Sequence, residues 1–382
     1  MNSRQVLEIF ARYRKDSPVM VSSGASGNIL NQIDPHDPFM FNTGMAYTSP
    51  ACLGLALARP DLKVVAIEGD GAMLMGLPNL VTIGRYLPKN LVVLVVNNQA
   101  YLGTGMQLPA ASAIRADLGG FARAAGVPNV TVADDVEEVE EAIAQAMAGQ
   151  GPSVIVANVD QNVVLERETG GAGPDRTDLA AAFQRWLREH EPPASAPRSN
   201  AAAAGTGPIP EALGTYGAGS RVIYDALKRA GVDFLVYLPE TLLYGVQVLA
   251  EQDADMLAVC CTREDEGVAI ASGAAYAGRL PAIVLEGTGV GLSGLILAST
   301  MVRRAPVLIL SSHSAIMGIR QAHDNISTMV NEPIMRALNF PVTVLTHLSD
   351  APVFIRESAR AAQVLKSPVG VAVPPYVMDE AN

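Results

Sequence analysis

A carboxylate held between glycines, Gly69-Asp70-Gly71, is followed about 25 residues later by a pair of amides, Asn97-Asn98. Each closes a short apolar run, 63–67 (KVVAI) before the first and 91–96 (LVVLVV) before the second. Carboxylate, amide and backbone oxygens are hard donors, suited to Mg²⁺ or Ca²⁺ rather than zinc. The glycines allow the backbone to come close to a ligand, and a helix expected from near Ala72 would turn its first N–H groups toward phosphate. Gly-Asp-Gly alone is an ordinary strand–helix turn. Paired with the amides at a second strand end, it describes a divalent cation gripping a diphosphate.

Those two runs must be strands covered on both faces, because they carry no polar alternation; this predicts a parallel sheet flanked by helices. Helical spacing over 73–86 between them completes a βαβ unit. A helix over 136–147 and a strand over 153–158 (SVIVAN) continue the pattern. A second stretch repeats it: helix 221–230, strand 234–238 (FLVYL), helix 267–277, strand 282–286 (AIVLE), helix 294–302 and strand 307–311 (VLILS). Between them, Pro, Ala, Ser and Gly crowd together without apolar periodicity, as in a solvated linker. The expected organisation is two tandem open parallel-sheet α/β domains, 1–190 and 216–382, joined by a linker over 191–215. Ligands on such sheets gather at the carboxyl ends of the strands.

Composition narrows the function classes. With 17% charged and 49% hydrophobic residues the 382-residue chain is not intrinsically disordered. A balance of 27 basic against 38 acidic residues, net −11, argues against a broad nucleic-acid or anionic-membrane surface. The N-terminal MNSRQVLEIFARYRKD reads as an amphipathic helix without a secretory core, and no run is long enough to span a bilayer. A cytoplasmic location is therefore expected. Cys52, Cys260 and Cys261 offer neither a disulfide framework nor a CxxC pair and read as small buried hydrophobes. Trp186 reads as packing, and Arg303-Arg304 as a solvated helix end.

The GDG and NN pair, with residues 41–72 leading into it, resembles the thiamine diphosphate enzymes. That resemblance implies that Asp70, Asn98 and the Ala100 carbonyl bind Mg²⁺. It also implies that Gly71 and Ala72 face the diphosphate, with Gly24, Ala25 and Ser26 in contact with it, and that Gly69, Thr43, Tyr101 and Leu102 bind the cofactor. Met45 would be the bulky side chain that bends the cofactor. The second half, in TREDEGVAIASGAAYAG (262–278), resembles the pyrimidine-binding domain; nine residues before Gly273 stands Glu264, implied as the partner of the aminopyrimidine, with Glu266 its neighbour. EGTGVGLSGL (286–295) resembles that domain's glycine-rich loop and lacks the GxGxxG interval of a dinucleotide fingerprint. The diphosphate-binding half comes first, the reverse of the usual order, and there is no central domain.

Within that family the chain looks most like sulfopyruvate and phosphonopyruvate decarboxylases, as a fusion of two subunits. This implies non-oxidative decarboxylation of a small 2-oxo acid, and a homodimer or homotetramer with active sites between the two kinds of domain. A carboligase using the same cofactor, or a catalytically silent regulatory partner, are the alternatives. On the substrate side His313 follows a strand end, and Gln321 and His323 lie in a polar stretch beyond it with Arg320 and Asn325; His323 with Gln321 is the favoured pair.

Overall fold

The computed structural model describes residues 1–42, 44–101, 116–160, 175–191, 217–314 and 325–379. The chain divides into two compact units, Met1–Ala204 and Gly205–Asn382. The expected linker, apart from Glu191, lies outside the described residues.

The N-terminal unit is built on strands β1 (Val19–Val21), β2 (Phe39–Phe41), β3 (Val64–Gly69), β4 (Leu91–Asn97), β5 (Asn129–Ala133) and β6 (Ser153–Asn158). They form one sheet in the order β2-β1-β3-β4-β6-β5 with every pairing parallel. One face, including Val65, Ile67, Val92 and Leu94, packs with Val6, Phe10 and Ile143 of flanking helices. Helix Thr48–Ala58, buried along its whole length, packs against β3 and so has no polar face. Helical spacing over 73–86 resolves into two helices, Asp70–Met75 and Asn79–Tyr86. Gly76 and Pro78 account for the break, since glycine weakens a helix and proline cannot donate its ladder bond.

The C-terminal unit carries β7 (Phe234–Tyr237), β8 (Leu257–Cys260), β9 (Pro281–Leu285), β10 (Leu308–Ser312), β11 (Val342–Val344) and β12 (Val369–Val373). Their order is β11-β12-β10-β9-β7-β8, again all parallel. Read from each unit's own first strand, both sheets have the connectivity 2-1-3-4-6-5. In both, the chain leaves the first strand toward one edge, returns, and builds outward on the other side. The first and third strands therefore flank the switch point, where a crevice opens at the carboxyl edge.

Cys52 and Cys261 are buried and Cys260 is half-buried. Trp186 stacks on His190, with ring centroids 3.9 Å apart. Arg303 departs from the expected solvated end: it is 3% exposed and hydrogen-bonded to Tyr276, while Arg304 is exposed. Among the described residues no helix is long and apolar enough to cross a membrane.

Candidate functional site

In the N-terminal unit the switch point lies between β1 and β3, and the segments leaving those strands are 22–26 and Gly69-Asp70-Gly71. Gly24 precedes helix Ala25–Ile33, whose first turn has no side-chain cap. A Cβ on Gly24 or on Gly69 would meet no atom within 4 Å, so both backbones border open space. Asp70 opens helix Asp70–Met75 and is 2% exposed.

Beside it, β4 pairs with β3 in the register Gly69↔Val96, which brings the end of β4 next to Asp70. The two amides there divide their work. Asn97 Nδ2 donates to Asn158 Oδ1 at 2.7 Å, and Asn158 Nδ2 donates to Asp134 Oδ1 at 2.7 Å, tying the ends of three strands together. Asn98 Oδ1 accepts the Ala100 N–H at 3.0 Å and keeps a second lone pair, with Gln99 in the left-handed region at φ 55° between them.

Among the described residues no group of three His, Cys, Asp or Glu could hold a metal. One carboxylate, one amide oxygen and one carbonyl instead fit Mg²⁺, a cation that keeps phosphate oxygens or waters in its shell. The residues present therefore fit a metal that arrives with a diphosphate. Gly71 lies under Tyr101: a Cβ there would stand 2.2 Å from the ring. Met45 is half-buried in the turn before helix Thr48–Ala58. Asn79 Nδ2 holds that turn through the Ala46 carbonyl at 2.8 Å, with Ala46 at φ 77°. Thr43 and Leu102 lie outside the described residues.

Glu68, two positions before Asp70, is a carboxylate that the sequence reading does not single out. It is 1% exposed, and its Oε1 accepts the Ser49 N–H at 2.6 Å in the first turn of helix Thr48–Ala58. Burial pushes this carboxyl up, and the Ser49 contact pulls it back. An acidic residue inside an otherwise apolar strand is the signal that could have found it.

In the C-terminal unit the switch point lies between β7 and β9. Glu264 and Glu266 both sit in the first turn of helix Glu264–Tyr276, but their surroundings differ. Glu266 is 2% exposed, and its Oε2 accepts both the N–H and the hydroxyl of Thr262, at 2.8 and 2.5 Å. These bonds tie the first turn of the helix to the residue before its N-cap, Arg263. Glu264 is half-buried, and among the described residues no group donates to it. Its side chain lies against Gly289 beyond β9, where a Cβ would come within 2.4 Å of Glu264 Cγ and 2.9 Å of Oε1. The carboxylate beyond β8 thus reaches the segment beyond β9, which the sequence suggests as a glycine-rich loop but which folds as helix Gly287–Leu292.

Glu240, beyond β7, also escapes the sequence reading. Its Oε2 accepts the Leu242 N–H at 3.1 Å, and its other oxygen accepts the Leu243 N–H. Burial pushes its carboxyl up to about 7; the two N–H groups and the Ser312 hydroxyl oppose the rise, and Glu286 adds to it. His313, just past β10, is buried, with its N–H on the Val373 carbonyl at 2.8 Å. Burial lowers its pKa, against the pull of Glu332. Its Nδ1 is 3.2 Å from Asn331 Nδ2, a further residue that short-range sequence pattern does not reveal. Gln321 and His323, with Arg320, lie outside the described residues; Asn325 opens helix Asn325–Val330.

Comparison with known proteins agrees with this division. The C-terminal TPP binding domain of thiamine pyrophosphate enzymes matches residues 29–157, and the N-terminal TPP binding domain matches residues 218–329, so the two occur in reversed order. The sulfopyruvate decarboxylase subunit beta of Methanothermobacter thermautotrophicus is 31% identical over 187 residues, 45% of this chain and 97% of that protein. The corresponding subunit of Methanococcus maripaludis is 32% identical over 154 residues, 40% of this chain and 81% of that protein. A phosphonopyruvate decarboxylase of Streptomyces viridochromogenes is 34% identical over 148 residues, 38% of this chain; the match spans only 36% of that relative's length. Among solved structures, transketolase from Campylobacter jejuni superposes with a TM-score of 0.63 at 12% identity, covering 97% of this chain and 73% of that one. Benzoylformate decarboxylase from Polynucleobacter necessarius gives 0.59 at 11% identity, covering 98% of each chain. At such identities these two establish the fold alone.

Proposed function

The chain belongs to the thiamine pyrophosphate enzymes, and from that premise we propose that it is a Mg²⁺-dependent decarboxylase of a small 2-oxo acid, releasing CO₂ and an aldehyde. The names of its relatives favour a substrate with an anionic group on carbon 3, of the sulfopyruvate or phosphonopyruvate kind. The cofactor, when bound, supplies the nucleophilic thiazolium carbon and takes up the electron pair left by departing CO₂.

The protein's part is to bind, orient and move protons. Asp70, Asn98 and the Ala100 carbonyl would hold Mg²⁺. The backbone N–H groups near Gly24, Ala25 and Ser26 and those of Gly71 and Ala72 would receive the diphosphate. Met45 would support the bend between the cofactor's rings, with Gly69 and Tyr101 beside it. Glu264 would hold a proton at N1′ of the aminopyrimidine, a role supported by its half-buried place against Gly289, whereas Glu266 is buried with one oxygen on Thr262. His313 would serve the substrate side, together with Gln321 and His323. We place the first domain at 1–190 and the second at 216–382. A homodimer or homotetramer is the expected assembly, and the relatives named as alpha and beta subunits accord with association.

The observation that supports this reading most directly is the buried Asp70 beside Asn98 at the ends of two paired strands. The test is CO₂ release from a panel of 2-oxo acids, including sulfopyruvate and phosphonopyruvate, with thiamine diphosphate and Mg²⁺. Glu264→Gln should abolish turnover while sparing cofactor binding measured calorimetrically. Unchanged turnover would refute the role of Glu264.

A further inference from the structure

We propose that Asn331 is a positioning residue that locks His313 as its Nε2–H tautomer, so that a neutral imidazole offers one hydrogen-bond donor to an oxygen of the 2-oxo acid. The donor role rests on the decarboxylase reading above; the tautomer does not.

Asn331 is fully buried, at the N-terminus of helix Glu332–Ala337. Its amide has one orientation that satisfies all its neighbours. Oδ1 accepts the Ser311 hydroxyl at 3.0 Å, while Nδ2 donates to the Ser312 carbonyl at 3.0 Å. Turning the amide over would set two acceptors, Oδ1 and the Ser312 carbonyl, against each other in a buried site. The nitrogen therefore faces His313, and its second N–H meets the ring Nδ1 at 3.2 Å.

An amide N–H can only donate, so Nδ1 must accept. A neutral imidazole carries one proton, which then resides on Nε2. An imidazolium would set two donors face to face, and burial opposes the charge as well. The close approach depends on Gly287: a Cβ there would stand 2.1 Å from Ser327 Oγ, 2.7 Å from the Ser312 carbonyl and 2.8 Å from Asn331 Nδ2. His313 itself follows β10 at the carboxyl edge of the sheet, the side on which such folds bind ligands.

The test is a long-range proton–nitrogen NMR spectrum of the cofactor-free protein with ¹⁵N-labelled histidine. There are 5 histidines, and His313→Gln assigns the relevant signals by their loss. The expected pattern for His313 is a pyridine-type Nδ1 and a pyrrole-type Nε2. Asn331→Asp replaces the donor by an acceptor of the same shape. The proton should then appear on Nδ1, and CO₂ release should fall by roughly 10–100-fold, the range found when a histidine's orienting partner is removed. Adding Asn331→Asp to His313→Gln should cost little further.

A wild-type His313 protonated on Nδ1, or an even mixture, overturns the tautomer, and this spectrum decides the matter even if the variant does not fold. An inverted spectrum with full turnover in Asn331→Asp overturns the role. A wild-type protein silent toward every 2-oxo acid, with the tautomer as stated, removes the decarboxylase reading and the donor role with it, and leaves the imidazole assignment standing.

Discussion

Replacing Glu240 by glutamine should reverse the sign of a mutational effect between acid and alkaline pH. Burial lifts this carboxyl from the ordinary 4.5 to about 7. At about 1.4 kcal/mol per pH unit, its ionised form costs the folded state about 3 kcal/mol. Below pH 4.5 the carboxyl is protonated in both folded and unfolded chains and costs nothing. As pH rises from 4.5 to 7 the unfolded chain releases the proton first, so stability falls across that window. Glutamine has no proton to lose. It does have only one acceptor oxygen for the Leu242 and Leu243 N–H groups, which Glu240 serves with two, and losing one bond costs about 1 kcal/mol. Glu240→Gln should therefore be about 1 kcal/mol less stable than wild type near pH 4.5 and about 2 kcal/mol more stable near pH 8. Urea denaturation of the cofactor-free protein across this range, followed by circular dichroism, reads the difference, and contributions from other carboxyls cancel in it. A difference that stays constant with pH would refute the reasoning.

Gly289→Ala should leave stability within about 1 kcal/mol, because the flexible end of Glu264 can give way, and alanine favours a helix. It should cut CO₂ release by about 10–100-fold by displacing that carboxylate; wild-type turnover would mean that the position of Glu264 is immaterial. Glu266→Ala, in contrast, should cost about 1 kcal/mol of stability through loss of the Thr262 hydrogen bonds and keep most of the turnover. Loss of turnover with stability retained would transfer the aminopyrimidine role to Glu266.

What could be read in the sequence was whatever is local. The runs at 91–96 and 153–158 lie within β4 and β6, because uninterrupted apolar residues fit a strand covered on both faces. Very short strands such as β1 and β2 leave too few residues for periodicity to register. Pro78 was a local signal for the break in the helical pattern at 73–86, and spacing alone obscured it. The division between Asn97 and Asn98 is not local. It depends on Asn158, which lies 61 residues away and becomes a neighbour only through the β4–β6 pairing. Glu240 and Asn331 are hidden for the same reason. Ser312 meets both only after the chain has crossed from β7 to β10 and beyond, and nothing in the string YLPETLLYG announces that crossing.

The shared 2-1-3-4-6-5 connectivity means that neither sheet borrows a strand from the other unit. Each is a closed topological module, indifferent to whether its counterpart is encoded upstream, downstream or on a separate gene. A gene fusion could join such modules in either order without rewiring a single β-pairing. Specialisation then falls to the loops at one rim, where two copies of one connectivity can present different side chains without altering the sheet beneath them.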